Sequence, residues 1–159
     1  MIRWIENVSW DDVKNGHHSD MGENSMLIQI ADPATFFPVP KKQFREVYQF
    51  EFLDVEDNDP FPDECKISDM QASELVCLLQ YALNHSMNVL VHCHAGICRS
   101  GAVVEVGTMM GFTATERFRE PNLRVKQKMM KVLGLRDGRF IERQTRADGT
   151  RRWTSSAPI

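Results

Sequence analysis

The stretch NVLVHCHAGICRSG, residues 88–101, constrains this chain more than any other. Val89, Leu90 and Val91 form a short apolar run of the kind that reads as a fully buried strand. The run passes directly into Cys93 and a loop holding Gly96, and Arg99 follows. From Arg99 the residues Ala102, Val103, Val104 and Val106 continue as a helix toward Gly111. Strand, tight loop and helix in immediate succession suit a layered α/β domain, in which a buried parallel strand feeds a helix packed on the sheet.

The rest of the chain agrees with that class. Short apolar runs alternate with amphipathic stretches, and no repeat or low-complexity segment interrupts them. Residues 26–32 (MLIQIAD) and 47–54 (VYQFEFLD) read as strands, separated by a loop, 32–40, that holds three prolines. Ser68-x-x-Gln71 is a capping box that opens a helix with Leu75, Leu78, Leu79 and Ala82 on one face. Thr113-x-x-Glu116 predicts the start of another helix, ended by Pro121. A last helix is expected over 122–133, closed by Gly134. The expected fold is therefore α/β, with a central, mostly parallel sheet flanked by helices and the 93–99 loop lying between a buried strand and a helix.

At 159 residues one domain is expected, and the natural division is 1–138 as that domain with 139–159 as a basic extension. Asp148-Gly149 is a turn signal there, so the extension reads either as a hairpin or as an unstructured basic tail. No stretch approaches the ~20 apolar residues a membrane span requires. The first residues, MIRWIENVSWDD, meet acidic side chains too early for a secretory signal. Cys65, Cys77, Cys93 and Cys98 lack the spacing of a disulfide framework, which predicts a reducing, cytoplasmic setting. A net charge of −3 argues against general nucleic-acid binding. The charge is uneven, with eight carboxylates against Lys66 over 51–69 and a basic C-terminal part from Arg124 onward.

The chemistry follows from the loop. The first N–H groups of a helix have no partner within it, and the helix dipole adds partial positive charge. A loop entering a helix is therefore a ready anion site. Gly96 permits the backbone angles of a tight cradle, and Arg99 adds a planar fork suited to two phosphate oxygens. The same field favours the thiolate form of Cys93. Ser100 could donate to that sulfur, and His92 is expected to turn away and hydrogen-bond nearby backbone.

Cys-x5-Arg alone is a weak signal, and its context decides. With the apolar strand before it, His before Cys, Ala-Gly within it and Ser after Arg, HCHAGICRSG resembles the signature loop of the cysteine-dependent protein tyrosine phosphatase superfamily. The short chain resembles its compact, dual-specificity-like members, including bacterial and phage-type ones. The resemblance runs from about Met26 to Gly138 and takes in FREVYQFEFLD and PNLRVKQKMMKVLGLRDGR. It implies a phosphomonoester hydrolase working through a phosphocysteine intermediate, with no metal and no organic cofactor. Cys93 is then the nucleophile and Ser100 stabilises it. The phosphate seat is formed by His94, Ala95, Gly96, Ile97, Cys98 and Arg99.

Such an enzyme needs an acid for the leaving oxygen, and the resemblance implies an Asp upstream of the loop. Asp54, at the end of the predicted strand, is the first choice, with Asp57 and Asp59 as alternatives. A phosphoprotein or phosphopeptide is the expected substrate, because the loop lacks lysine and the acidic stretch would repel a polyanion. Phe36, Phe37 and Phe61 are candidates to wall a phenol ring. Three other readings stay open: an RNA 5′-phosphatase, a phosphate-binding pseudophosphatase, and a metal module built from His92, Cys93, His94 and Cys98. Cys98 is read as inert or as a redox partner of Cys93. Glu105 interrupts an apolar helix and is expected either at the surface or paired with a basic group behind the loop.

Overall fold

The computed structural model describes residues 2–136, 139–145 and 151–158. Five strands, β1 (Trp4–Val8), β2 (Ser25–Ala31), β3 (Glu46–Glu51), β4 (Asn88–His92) and β5 (Thr113–Ala114), form one sheet. Their order is β3-β2-β4-β1-β5 and every pairing is parallel. This is the expected α/β class, with β4 at the centre between β2 and β1.

Parallel strands covered on both faces should be apolar throughout, and β2 and β4 are almost entirely buried. Against one face pack α2 (Asp69–Asn84), α3 (Arg99–Met110) and α4 (Leu123–Val132), burying Leu75, Leu79, Val103, Val106 and Met129. The other face is closed by α1 (Trp10–Asn15), whose Val13 meets Val8, Leu27 and Leu90. The Ser68–Gln71 capping box forms as expected. A one-turn 3-10 helix, Asp63–Cys65, lies in the acidic loop. Among the described residues no helix is long and apolar enough to cross a membrane.

Two regions differ from the sequence expectations. The N-terminal segment, to which periodicity assigns no element, supplies β1 and α1. The helix expected from Thr113-x-x-Glu116 does not form. Thr113 and Ala114 instead make the short strand β5 beside β1, with Thr113 N–H donating to Arg3 O at 2.7 Å and Thr115 N–H to Ile5 O at 3.2 Å. Residues 115–122 then run without regular structure. No apolar side chain between 113 and 121 is buried, so a helix there would have no face to bury, and sheet pairing prevails over the capping signal.

Beyond α4, β6 (Leu135–Arg136), β7 (Arg139–Thr145) and β8 (Arg151–Pro158) form a separate antiparallel sheet in the order β6-β7-β8. The turn signal Asp148-Gly149 lies outside the described residues.

The register places the carboxyl ends of the central strands together: Val8 of β1 and Gln29 of β2 both lie beside His92 of β4. In open parallel sheets this edge is where ligands bind. Cys93, Ser9, Asp32 and Phe52 are the first residues after the four neighbouring strand ends.

Candidate active site

Leaving β4, the chain turns through residues 93–98 and enters α3 at Arg99. Gly96 has φ +75, and a Cβ there would lie 2.3 Å from Val8 C and 2.6 Å from Val8 O. Only glycine satisfies both the backbone angle and the approach to β1. The loop is held from outside by its carbonyls. His94 O accepts from Trp10 N–H (3.1 Å) and Ile97 O from Glu120 N–H (3.2 Å). Cys98 O accepts from Asn122 N–H (2.9 Å) and Ala102 N–H (3.0 Å). Gly96 O accepts from the buried Asn7 amide at 2.8 Å.

The amides behave in the opposite way. Among the described residues, no backbone N–H from His94 to Arg99 donates to a protein acceptor, and the N-cap Cys98 has no side-chain cap bond. With the carbonyls drawn outward and the amides unclaimed, the loop is a concave set of donors that accepts an anion.

Arg99 is 4% exposed and is gripped along one edge. Its Nη1 donates to Asp32 Oδ1 at 2.7 Å and to Phe52 O at 2.8 Å. Its Nε is buried and unpartnered among the described residues. A fork fixed on one side and unsatisfied on the other is pre-organised for an oxyanion. Asp32 is the orienting group that periodicity missed. Its only sequence signal was a carboxylate at the end of a predicted strand.

Cys93 is 2% exposed yet borders a cleft of ≈ 510 Å³ together with Asp32, Asp54, Asp59, Phe61 and Arg99. Its Sγ lies 3.1 Å from the buried Ser100 Oγ, a position from which a hydroxyl donates to a thiolate. His92 turns to backbone, with Nδ1 3.2 Å from Cys93 O. Burial, with Arg99 adding to it, pushes its pKa down to about 4, so it is neutral near pH 7 and unsuited to proton transfer there. Cys98 also reaches the cleft. Burial first, then the Asp54 carboxylate and Cys93, raise its thiol to about 11. It is therefore a protonated S–H, unlike a nucleophile.

The three candidate acids are separated by their contacts. Asp57 is drawn away to Arg124 Nη1 at 2.6 Å and does not border the cleft. Asp59 borders the cleft, but its Oδ2 accepts from Glu56 N–H at 2.6 Å and closes a turn. Asp54 is exposed at the cleft wall, where Asn122 Nδ2 donates to its Oδ1 at 2.8 Å. Asn122, Asn7 and Asp32 are the supporting residues that sequence patterns do not single out. Glu105 meets Arg119 Nε at 3.3 Å, the pairing behind the loop that was one of the two expectations for it. Of the candidate wall residues, Phe61 borders the Cys93 cleft, whereas Phe36 borders an adjoining hollow and Phe37 neither.

No family model matches this chain, and no curated protein does. Among solved structures it is similar to a mouse candidate dual specificity phosphatase complexed with zinc tungstate. The identity is 16% and the TM-score 0.44, over 69% of this chain and 70% of that one. It is also similar to a tyrosine phosphatase of the Orf virus with triple substrate specificity. There the identity is 15% and the TM-score 0.42, over 76% of this chain and 75% of that one.

Proposed function

We propose that this chain is a cysteine-dependent phosphomonoester hydrolase of the protein tyrosine phosphatase type, with residues 1–138 as the phosphatase domain and 139–159 as a basic extension. The observation that carries the reading is the 93–99 loop: the carbonyls of His94, Gly96, Ile97 and Cys98 are tied outward, while among the described residues the amides of residues 94–99 and Arg99 Nε donate to no protein acceptor. That is the donor arrangement a phosphoryl group requires.

In this mechanism the Cys93 thiolate attacks phosphorus opposite the leaving oxygen. An S–P bond forms, the P–O bond breaks, and the Asp54 carboxyl gives its proton to the departing phenolate or alkoxide. The amides of residues 94–99 and Arg99 hold the equatorial oxygens as charge redistributes. In the second step water attacks phosphorus and the Asp54 carboxylate takes its proton. Cys93 leaves as a thiolate stabilised by Ser100. The residues supply nucleophile, acid–base group and charge stabilisation, so neither step calls on a cofactor. The carboxylates around the cleft favour a phosphorylated polypeptide over a polyanion. The four cysteines are free thiols, in keeping with a cytoplasmic setting.

The test is hydrolysis of phenyl phosphate and p-nitrophenyl phosphate between pH 5 and 8, with chelator present. Wild type should turn over both. Cys93→Ser and Arg99→Ala should lose activity by roughly 10³-fold or more. Asp54→Ala should lose roughly 10²-fold on phenyl phosphate, the poorer leaving group. Asp57→Ala and Asp59→Ala should stay within a few-fold of wild type. A folded wild type that binds tungstate but turns over neither ester would overturn the hydrolase reading in favour of a binding role.

A further inference from the structure

A second hollow, of ≈ 240 Å³, adjoins the Cys93 cleft and shares Asp32, His94 and Arg99 with it. Its remaining walls are largely apolar and include Trp10, Ile30 and Phe36. It is smaller than the roughly 300–1,000 Å³ of a typical small-molecule site, and its size suits one side chain. Phe36 is 91% exposed at its rim, the highest value of any large apolar side chain among the described residues.

The segment carrying Phe36 is braced rather than loose. Trp10 Nε1 donates to Phe36 O at 3.3 Å. Thr35 Oγ1 donates to Asp32 O at 2.6 Å. Ala34 is held at φ +62, an angle non-glycine residues rarely adopt, by its N–H donating to Glu51 Oε1 at 2.8 Å. Beyond the ring, Pro38 O accepts from the buried Gln29 side chain at 3.0 Å. A phenyl ring held in water by a braced, strained loop lacks a folding rationale and has a recognition one.

We propose that this hollow is a subsite for an apolar side chain of the substrate polypeptide, adjoining the phosphorylated residue. The inference rests on the phosphatase reading, which seats the phosphoryl group in the neighbouring cleft. Continuity fixes the occupant: with phosphate on the loop, the next part of the same molecule passes over the wall formed by Asp32, His94 and Arg99. The Asp32 carboxylate in that wall disfavours a second phosphate, while Trp10, Ile30 and Phe36 favour an aliphatic or aromatic group. Phe36 therefore selects the neighbour of the reacting residue, and Phe61 borders the reacting group itself.

The test uses phosphotyrosyl peptides in which one leucine is placed in turn at the two positions on each side of phosphotyrosine, against an all-serine background. p-Nitrophenyl phosphate is assayed in parallel. Wild type should favour leucine at one of these positions by roughly 10-fold in kcat/KM. Phe36→Ser should bring that ratio to within about 2-fold, and Phe36→Leu should retain most of it. Because the ring is exposed, both variants should fold, and unchanged melting temperatures check this. Turnover of p-nitrophenyl phosphate with no leucine preference, or a preference that survives Phe36→Ser, overturns the subsite alone. A wild type inert toward every ester overturns the phosphatase reading and the subsite with it.

Discussion

Asn122 Nδ2 donates to Asp54 Oδ1 at 2.8 Å, while its Oδ1 caps α4 by accepting from Val125 N–H at 3.0 Å. Its backbone N–H also holds Cys98 O at 2.9 Å. One buried residue, through its side chain and its backbone, thus ties the candidate acid, the 93–99 loop and a helix start into a single unit. Asn122→Ser should separate these duties, since serine still caps a helix but is too short to hold Asp54. Because Asn122 Nδ2 also donates to the buried Val55 O at 3.1 Å, the expected outcome is a stability loss of about 1–3 kcal/mol in urea unfolding. With it, kcat on phenyl phosphate should fall roughly 10-fold with little change in KM, and the loss on p-nitrophenyl phosphate should be smaller, because the better leaving group depends less on the acid. Equal losses on both esters would deny Asn122 its role in positioning Asp54.

Ser100 and Cys93 lie 3.1 Å apart and are both buried. A hydrogen bond to a charged partner contributes about 1.5–3 kcal/mol, and in the proposed mechanism this one is strongest when the thiolate departs. Ser100→Ala should slow the second step by roughly 10- to 100-fold. Stopped-flow traces should then show a burst of nitrophenolate near one equivalent per enzyme, with phosphocysteine trapped on acid quenching. Linear traces without a burst would place the effect on the first step instead.

Gly96 and Gly22 share left-handed φ values, +75 and +79, but differ in surroundings. A Cβ at Gly22 meets nothing within 4 Å, whereas at Gly96 it strikes the β1 backbone. Gly22→Ala should cost about 1–2 kcal/mol, from the angle alone. Gly96→Ala should cost about 3 kcal/mol or more and abolish tungstate binding. Calorimetric titration with tungstate and urea unfolding of both variants check the contrast.

The buried His92, with its pKa lowered to about 4 from 6.5, predicts a particular acid sensitivity. Between these values the unfolded chain binds more protons than the folded one, so stability is lost as pH falls from about 6.5 to 4. The loss amounts to about 3 kcal/mol at 1.36 kcal/mol per pKa unit. Glu6 and Asp12 contribute in a lower window. Burial opposes their ionisation, but hydrogen bonds from Ser19 and Ser9 respectively, together with Arg117, outweigh it and lower both. Their share is lost only as pH falls below about 4.5. Urea unfolding from pH 7 to 4 should therefore show a slope in wild type that flattens in His92→Gln. An unchanged slope would show that His92 is already protonated when folded.

The strand–loop–helix of residues 88–111, with its thiol and guanidinium, was legible in the sequence because every part of it is local. An apolar run, a glycine with a required φ and a helix start are each decided by neighbours within a few positions. The same holds for the Ser68 capping box. Tertiary structure alone decided what grips that loop. Asp32 meets Arg99 across 67 positions, Asn122 meets Asp54 across 68, and Asn7 meets Gly96 across 89. Asp54 stood among several similar carboxylates in one acidic run, and only its contacts with Asn122 and the cleft distinguish it from Asp57 and Asp59. At Thr113–Glu116 a sound local signal lost to pairing with a strand more than a hundred residues away. Local chemistry specifies which groups react, whereas their orientation is set by hydrogen bonds between strand ends that only the folded sheet brings together.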